Sequence, residues 1–246
     1  MKAVYVVFSS MLAMIFSFHL PSGVGTCSKS EPDFEECMRM RVEKAILRLS
    51  NGDKHLGVVP FEPLHIATIG VDENPKATVR VSQKFFNIKI HGLSATRVKK
   101  FYFDLEPCLV RAETLTPIVR TEAEYELDGR LLIFPVHARG ASNVTSYNLI
   151  ITHNITCLRY WKRGKEYLHL VDYKISAKPE RIHYNFENLF GDNARLSEQI
   201  HKTINERAFE IYEELRPTME ESCGMIFQEI GNKIFNRVPF GEIVKD

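Results

Sequence analysis

The chain has 246 residues, a formal net charge of +1 at pH 7 and a hydrophobic share of 44%, which is enough for one large domain or two small ones. Basic and acidic residues are interspersed, and no run of five like charges occurs. This pattern argues against a nucleic-acid partner and against electrostatic docking on anionic lipid.

Residues 1–25 have the composition of a secretion signal. Lys2 is followed by an almost uninterrupted apolar run over residues 3–18, and small residues suited to cleavage end at Gly25. The run covers 16 residues, whereas a transmembrane helix needs about 20. We therefore predict a signal peptide over residues 1–25 and a single extracellular domain over residues 26–246, whose net charge is zero once Lys2 is removed (+1 minus 1).

The five cysteines all follow the predicted signal, and an extracellular location favours disulfides. Cys27 and Cys37 would close a short loop just before a helical pattern, so we predict a bond between them. Cys108, Cys157 and Cys223 allow one more bond and one free thiol, and the sequence leaves every pairing open. A leftover cysteine is most often a buried apolar side chain; redox chemistry or dimerisation is the alternative.

A helix is predicted over residues 33–49, because apolar residues recur there at helical spacing. Ser30 supplies a hydroxyl cap ahead of Pro32, and Asn51-Gly52 ends the helix. The next stretch, residues 56–64, is apolar but contains two prolines. Because proline cannot donate to a sheet ladder, we expect an extended connector that lies over apolar surface.

From about Lys76 the apolar period changes to two, which predicts strands. We expect about seven antiparallel strands in a meander, each with one apolar and one polar face, in a single sheet covered on one side. The segments are 76–91 with a bulge at 83–85, then 101–105, 119–127, 131–138, 143–160, 167–176 and 182–186. Turns are predicted at Asp128-Gly129 and at 140–142.

Two glycosylation sequons, Asn143-Val-Thr145 and Asn154-Ile-Thr156, lie in the fifth of these segments. Asn143 and Asn154 have opposite parity, so both can face water only if the strand bulges or twists between them. We predict glycans at both asparagines and an irregularity between them.

The last long segment, residues 192–235, carries apolar residues at intervals of three or four, which is the spacing of one helix face. A single helix of 44 residues would be roughly 66 Å long, which exceeds the diameter of a compact domain of this size. We expect Pro217 to kink this helix without dividing the chain into domains.

Motifs for enzymatic chemistry do not occur in the sequence. It contains no G-x-S-x-G, H-E-x-x-H, P-loop or G-x-G-x-x-G that opens a helix, and its histidines have no metal-ligand spacing. We therefore expect no enzyme, no cofactor and no metal. The sequence is instead rich in large apolar side chains on the predicted inner faces.

These side chains are the candidate lining of an apolar tunnel between sheet and helix. They are Phe86, Ile88, Phe101, Phe103, Tyr125, Phe134, Tyr173, Tyr184, Phe186, Ile204 and Ile211. Buried tyrosines favour a tunnel, because each hydroxyl needs a partner that a lipid's polar head would supply. The alternative is that the rings simply fill a core.

Several segments in a fixed order resemble the takeout and juvenile-hormone-binding protein family of insects, whose members are secreted carriers of hydrophobic small molecules. The segments are Cys27 with Cys37, Leu56–Leu64, Gly92-Leu93, Tyr125–Arg130, Gly164–Leu168, Phe186–Phe190 and Phe235–Phe240. The resemblance covers nearly all of residues 26–246, and it is nearer to takeout and its clock-controlled relatives than to the haemolymph hormone carriers.

The resemblance implies an α+β fold: a strongly curved antiparallel sheet wrapped around one long C-terminal helix, with a short N-terminal helix and an enclosed apolar tunnel. Lipid-binding modules of the bactericidal/permeability-increasing type share this layout. The hormone carriers join the sheet to the C-terminal helix by a second disulfide, of which Cys223 could be the helix end. Cys108 and Cys157 are not usual in takeout-like members.

The resemblance also implies a function, that of a secreted, monomeric, non-enzymatic carrier of a juvenile-hormone-like terpenoid or a fatty-acyl lipid, linked to circadian, feeding or other behavioural regulation. A hydrophobic small molecule is the expected partner, without nucleic acid and without stable membrane insertion. Two alternatives stay open. One is a secreted signalling protein with a filled core that acts through a receptor, and the other is a lipid-modifying enzyme.

Overall fold

The computed structural model describes residues 18–71, 79–131, 134–191 and 193–246. Along these residues the elements are β1 (Cys27–Ser28), α1 (Phe34–Leu49), β2 (Leu64–Val71), β3 (Val79–His91), β4 (Arg97–Asp104), β5 (Leu109–Leu131), β6 (Phe134–Lys162), β7 (Lys165–Lys178), β8 (Arg181–Phe186), α2 (Ala194–Glu206), α3 (Ala208–Phe235) and β9 (Val244–Lys245). Helix α1 confirms the predicted N-terminal helix, although its N-cap is Asp33 and not Ser30. None of the helices in the described ranges is long and apolar enough to cross a bilayer.

A long hairpin of β5 and β6 forms the middle of a seven-stranded antiparallel sheet. Two strands share each of its outer edges: β3 and β4 pair with β5, while β8 and β7 pair with β6. Strand β2 pairs with β3, and the short strands β1 and β9 form a separate parallel pair. The predicted antiparallel sheet is confirmed, but its order is not a meander, because β3 pairs with β5 instead of β4.

The sheet curls around α3. Ile226 and Ile230 of this helix pack with Leu64 of β2 and Ile88 of β3, while Gly224 of the same helix lies against the backbone of Tyr173 in β7. Strands from opposite parts of the sheet therefore meet one helix. This arrangement confirms the predicted α+β fold, a strongly curved antiparallel sheet wrapped around C-terminal helical structure.

In both strands of the central hairpin, the alternation of inward and outward side chains shifts by one residue halfway along. Asn148 has a left-handed φ of 46°, and it and the facing Pro117 are skipped by the ladder. Because the skip shifts the alternation by one residue, Asn143 and Asn154 both pair with outward-facing positions of β5. The predicted irregularity between the two sequons is confirmed.

Two predicted turns are wrong. Asp128 pairs with His137 across the ladder, so β5 continues through Asp128-Gly129 and the chain reverses beyond Leu131. Residues 140–142 lie within the continuous strand β6. Gly140 is needed there because a Cβ would collide with the carbonyl oxygen of Glu187. In the sequence, a glycine required by such a close backbone contact cannot be told from a glycine required by a turn.

The bulge in β3 lies at Asn87, whose φ is 50°, and not at the predicted 83–85. Phe85 pairs with Tyr125 and packs in the interior. Phe86 therefore points to the outer face, so the prediction that its ring lines the interior is wrong. Ile88 follows the bulge and is buried.

The C-terminal helical segment is interrupted at Arg207 and not at Pro217. Arg207 has φ −108° and ψ 23° and separates α2 from α3, whereas Pro217 lies inside the 28-residue α3. In the last turns of α2, Thr203 Oγ1 and Asn205 Nδ2 each donate to the backbone carbonyl four residues earlier. Such bonds compete with regular helix and bend it. The predicted single helix is therefore corrected to two helices.

Polar side chains of α2 and α3 bond to the free edge of β8 and β7, as a further strand would. Asn205 accepts from Tyr184 N and donates to Tyr184 O, and Asn232 does the same with Leu170, at 2.8–3.0 Å. Further bonds of this kind come from His201, Tyr212, Glu220 and Gln228. We call this row the edge ladder. Its side chains satisfy backbone N–H and C=O groups of the sheet edge that have no neighbouring strand.

Two disulfides occur among the described residues. The bond between Cys27 and Cys37 confirms the prediction, and the second joins Cys108 to Cys157 where β5 begins beside β6. Cys223 of α3 is free. The sheet-to-helix disulfide of the hormone carriers is therefore absent at Cys223.

The predicted connector and the end of the predicted signal meet in one apolar cluster. Leu56 and Val58 are buried there with Val238, which confirms that the predicted connector lies over apolar surface. The predicted extended conformation is wrong, because turns occupy residues 54–57 and 62–63. Phe18 and Leu20 pack against the same cluster. The signal boundary at residue 25 stays a prediction.

Candidate functional site

One end of the interior, between α2, β8 and the turn-proximal half of the central hairpin, is densely packed. Tyr125, Tyr184, Ile204 and Ile211 are buried there, with Phe186 packed at the margin. Tyr125 Oη donates to the carbonyl of Glu187 at 2.6 Å, so this hydroxyl is already satisfied. At this end, the predicted lining residues act as core.

Three other predicted residues join separate clusters. Ile88 is buried under α3, and Phe103 is buried with its ring edge-on to Phe240 at 6.1 Å between centroids. Phe101 is partly buried beside them. The prediction for Phe134 concerns a side chain outside the described part of the structure.

Tyr173 is a predicted lining residue that is packed against α3 and still keeps accessible surface. Burial raises the pKa of its phenol well above the ordinary value, and burial raises the pKa of the Cys223 thiol to about 11. Both residues nevertheless keep accessible surface. A space between α3 and the inner face of β7 would give side chains that are buried and still keep accessible surface.

A polar row crosses the inner face of the sheet beside this space. His153 Nδ1 lies 3.1 Å from Tyr173 Oη, and His153 Nε2 lies 2.9 Å from Thr114 Oγ1. The three residues sit on β7, β6 and β5 at diagonal positions, where side chains of neighbouring strands reach each other. Phe227 of α3 covers the row, with ring centroids 6.0 Å from Tyr173 and 6.4 Å from His153.

The polar row is uncharged at neutral pH. Burial lowers the pKa of His153 from its ordinary 6.5 to about 4, because a low-dielectric environment disfavours the charged imidazolium. Burial also keeps the phenol of Tyr173 protonated. The row therefore offers hydrogen bonds without charge.

His153 and Thr114 were not singled out from the sequence, although a signal was present. Beyond Asn148 the inward positions 149, 151, 153, 155 and 157 read Leu, Ile, His, Ile and Cys. One histidine in an otherwise apolar series marks a polar group inside. Without the skip at Asn148, the same stretch has no clear alternation.

Two open grooves on the outer surface are lined by charged side chains. The larger, of about 900 Å³, lies between the start of α1 and strands β4 and β5, beside Glu36, Arg39, Lys100, Arg111 and Glu113. The smaller, of about 390 Å³, lies between the ends of β3, β5 and β6. Sites for apolar ligands are lined mainly by apolar groups, so the interior is the better candidate.

A curled antiparallel sheet closed by C-terminal helices over an apolar interior defines the takeout-like class of fold. The crystal structure of takeout 1 from Epiphyas postvittana matches with a TM-score of 0.81 at 19% identity, covering 90% of this chain and 100% of that chain. The model of the family "Haemolymph juvenile hormone binding protein" matches residues 3–245. The chain therefore belongs to this family of binding proteins, which confirms the resemblance seen in the sequence.

Two relatives cover most of the chain. The circadian clock-controlled protein daywake of Drosophila yakuba is 25% identical over 232 residues, which is 92% of this chain and 88% of that protein. A candidate beta-carotene-binding protein of Schistocerca gregaria is 21% identical over 220 residues, which is 89% of this chain and 86% of that protein.

Proposed function

We propose that this chain is a secreted carrier that holds a hydrophobic small molecule, a terpenoid or a fatty-acyl lipid, between α3 and the inner face of the sheet. The observation that carries the proposal is the accessible surface that Tyr173 and Cys223 keep deep inside the fold. Partly buried apolar side chains of α3, Leu215, Phe227 and others, continue along the interior. The names of the family and of the beta-carotene-binding relative support a ligand of this kind.

The energetics of such a site are favourable. Burial of about 400 Å² of apolar ligand surface would contribute roughly 10 kcal/mol at about 25 cal/mol per Å². The loss of ligand translation and the ordering of side chains reduce this gain. An affinity between micromolar and nanomolar is therefore expected.

A space-filling substitution tests the interior. Cys223→Phe adds a ring to the inner side of α3, whereas Met225→Phe adds the same ring two residues on, where Met225 is 60% exposed. Delipidated proteins are titrated with N-phenyl-1-naphthylamine, and their thermal unfolding is recorded. We expect saturable binding of equal affinity for wild type and Met225→Phe, and binding at least about tenfold weaker for Cys223→Phe because the space is filled.

The two halves of this experiment test different claims. Wild-type protein without saturable binding of this probe or of an insect lipid extract would overturn the carrier function. Unchanged binding by a folded Cys223→Phe variant would place the ligand elsewhere in the protein.

Secretion, the signal peptide over 1–25 and glycans at Asn143 and Asn154 belong to the same proposal. The two disulfides support an oxidising compartment, and both asparagines lie on the outer face of β6, away from the interior. Expression in insect cells tests this part. We expect a soluble protein in the medium, a mature N-terminus near Thr26 and a loss of two glycans on treatment with N-glycosidase; an intracellular, unmodified product would contradict it.

We further propose a monomer with a link to circadian, feeding or other behavioural regulation, because the daywake relatives are described as clock-controlled. The densely packed cluster around Tyr125 favours one alternative, a signalling protein with a filled core. Native mass spectrometry of the secreted protein separates the two functions. A carrier retains lipid mass that organic extraction removes, and a filled protein has the mass of the monomer before and after extraction.

A further inference from the structure

The turn between β6 and β7 forms an exposed tip at one end of the sheet. Lys162 pairs with Lys165 across the ladder, so the loop contains only Arg163 and Gly164. Their φ values are 52° and 72°, as in a two-residue type I′ turn. A Cβ placed at Gly164 would meet no atom of the described residues within 4 Å, its chain neighbours apart, so the turn stands clear of the rest of the protein. We call residues 161–165 the β6–β7 tip.

The tip carries the only tryptophan of the sequence. Trp161 is 74% exposed, which is the highest exposure among the large apolar side chains of the described residues. It lies on the same face of β6 as Cys157 and Arg159, because side chains alternate along a strand. The packed interior ends at Arg159, whose guanidinium lies over the ring of Phe240 at 5.6 Å. Trp161 comes two residues later on that face and therefore projects beyond the core.

The side chains beside this tryptophan are basic. Lys162, Arg163 and Lys165 follow it within four positions. Lys165 makes a further interaction, whereas no carboxylate in the described part of the chain pairs with Lys162 or Arg163. The acid that follows the tip, Glu166, accepts from Arg159 with both oxygens, at 2.7 and 3.1 Å. The tip therefore concentrates positive charge, although charges are evenly interspersed over the sequence as a whole.

Arginine is an unusual residue for the first position of the turn. Glycine, asparagine and aspartate are preferred where φ is positive, because the Cβ of most other residues is crowded in this conformation. Arg163 nevertheless occupies the position with a φ of 52°. Turn geometry does not account for this arginine, whose charge stands at the outermost point of the hairpin.

Shape and composition together indicate which partner fits the tip. A stable protein interface takes about 20–30 residues from each side, whereas the tip is a convex turn of residues 161–165. A lipid bilayer receives a convex tip, because indole rings favour the boundary between headgroups and hydrocarbon. Anionic headgroups attract lysine and arginine. Single exposed apolar side chains need no partner, but here the indole and two unpaired cations share one turn.

We propose that the β6–β7 tip docks reversibly on lipid surfaces that carry anionic headgroups, with the Trp161 ring in the headgroup boundary and Lys162 and Arg163 against the phosphates. The prediction against such docking came from the average charge of the whole chain and did not consider this turn. The inference goes beyond the proposed carrier function and does not depend on it, because the tip lies outside the interior. For a carrier, such a contact would be a place where a poorly soluble ligand is exchanged.

The single tryptophan reports the contact directly. The purified secreted protein is mixed with vesicles of phosphatidylcholine, or of phosphatidylcholine with phosphatidylglycerol, and the emission of Trp161 is recorded. With the anionic vesicles we expect a shift to shorter wavelength and quenching by brominated lipid, because the ring leaves water. Neutral vesicles should produce little change, and high salt should reverse the shift because it screens the headgroup charge.

Vesicle flotation of variants shows which side chains bind. Lys162→Gln/Arg163→Gln should weaken binding to anionic vesicles about twentyfold, since each cation near such a surface contributes about fivefold. Trp161→Ser should weaken it about tenfold, because a large apolar ring no longer leaves water.

Matched controls remove the same groups elsewhere. Lys178→Gln/Arg195→Gln removes two exposed cations from the far end of β7 and from α2. Met225→Ser removes an apolar side chain of α3 that is 60% exposed. Both variants should bind anionic vesicles as wild type does.

The inference is overturned if anionic vesicles leave the tryptophan emission unchanged, which would also be the result for a tip that binds an acidic protein. It is equally overturned if neutral and anionic vesicles bind alike, or if Lys162→Gln/Arg163→Gln binds as wild type. Displacement of N-phenyl-1-naphthylamine tests the carrier function separately, so either proposal can fail while the other stands.

Discussion

At the scale of single residues, the role of a histidine in this protein depends on where its side chain lies. His153 is one of nine histidines, and it is buried between Thr114 and Tyr173 on the inner face of the sheet. His183, by contrast, lies on β8 with its side chain in water. The first is held neutral by burial, and this has a measurable consequence for stability.

Acid should destabilise the protein through His153. Its pKa in the folded protein is about 4, against an ordinary value of 6.5. The unfolded chain therefore binds an extra proton between these values, and stability that is fully present above about pH 6.5 is lost as the pH falls toward 4. The loss of unfolding free energy between pH 7 and pH 4 should approach about 3 kcal/mol from this group.

Urea unfolding across this pH range checks the prediction. His153→Gln keeps hydrogen-bonding atoms but does not titrate, so its stability should fall less with acid than that of wild type. His183→Gln is the control and should follow wild type. Parallel curves for wild type and His153→Gln would show that the imidazole titrates normally in the folded protein.

At the scale of elements, the decisive contact is the one between the C-terminal helices and the edge of the sheet. The edge ladder uses Asn205, Asn232 and their neighbours to bond backbone groups of β8 and β7. Edge strands with unpaired backbone groups invite aggregation, and here helix side chains cover them. The helices can follow the edge closely only where small residues allow it.

Gly224→Ala should be strongly destabilising. A Cβ at Gly224 would lie 2.5 Å from the carbonyl oxygen of Tyr173, a backbone atom within the sheet. At Gly231 of the same helix, a Cβ would instead meet the flexible end of Leu170 at 2.6 Å. We expect a loss of about 2 kcal/mol for Gly224→Ala from overpacking.

Gly231→Ala is the matched control. It should change the unfolding free energy little, because alanine's better helix propensity, up to about 1 kcal/mol, offsets the repacking of Leu170. Urea denaturation of both variants gives the comparison. If the two substitutions had the same effect, α3 would not rest on the backbone of β7 at Gly224.

For the whole molecule, the disulfides hold together parts of the chain that are distant in sequence. The bond between Cys108 and Cys157 spans 49 residues and ties the start of β5 to β6, whereas the bond between Cys27 and Cys37 spans 10. In the chain-entropy description, the longer loop is worth about 4 kcal/mol and the shorter about 3 kcal/mol. The longer crosslink thus contributes more to the unfolding free energy of the protein.

Removal of each bond tests this order. The Cys108→Ser/Cys157→Ser protein should lose more unfolding free energy than the Cys27→Ser/Cys37→Ser protein, measured by urea denaturation without reductant. Thiol titration of the unfolded, unreduced wild type should find one free thiol, that of Cys223. Three reactive thiols would mean that Cys108 and Cys157 are not bonded.

The sequence by itself determined those features that depend on neighbours along the chain. The 3.6-residue period predicted α1, the two-residue period predicted a strand over most of β7, and the ten-residue spacing of Cys27 and Cys37 predicted their bond. Within β7 the inward positions before Val171 are Leu168 and Leu170 and not the predicted Tyr167 and Val171, because the register shifts there. Periodicity is local, because a side chain's direction follows from the backbone conformation of adjacent residues. The family resemblance added the prediction that the sheet curves around the C-terminal helical segment.

Only the tertiary structure decided the features that depend on distant partners. Position 140 must be glycine because Glu187 crosses it, Asn205 bonds Tyr184 because α2 lies along β8, and Cys108 pairs with Cys157 because β5 and β6 lie together. The polar row likewise needs three strands in register before His153 has a partner. Such contacts join residues that are far apart in sequence, and the local sequence pattern does not specify which distant partner each residue meets.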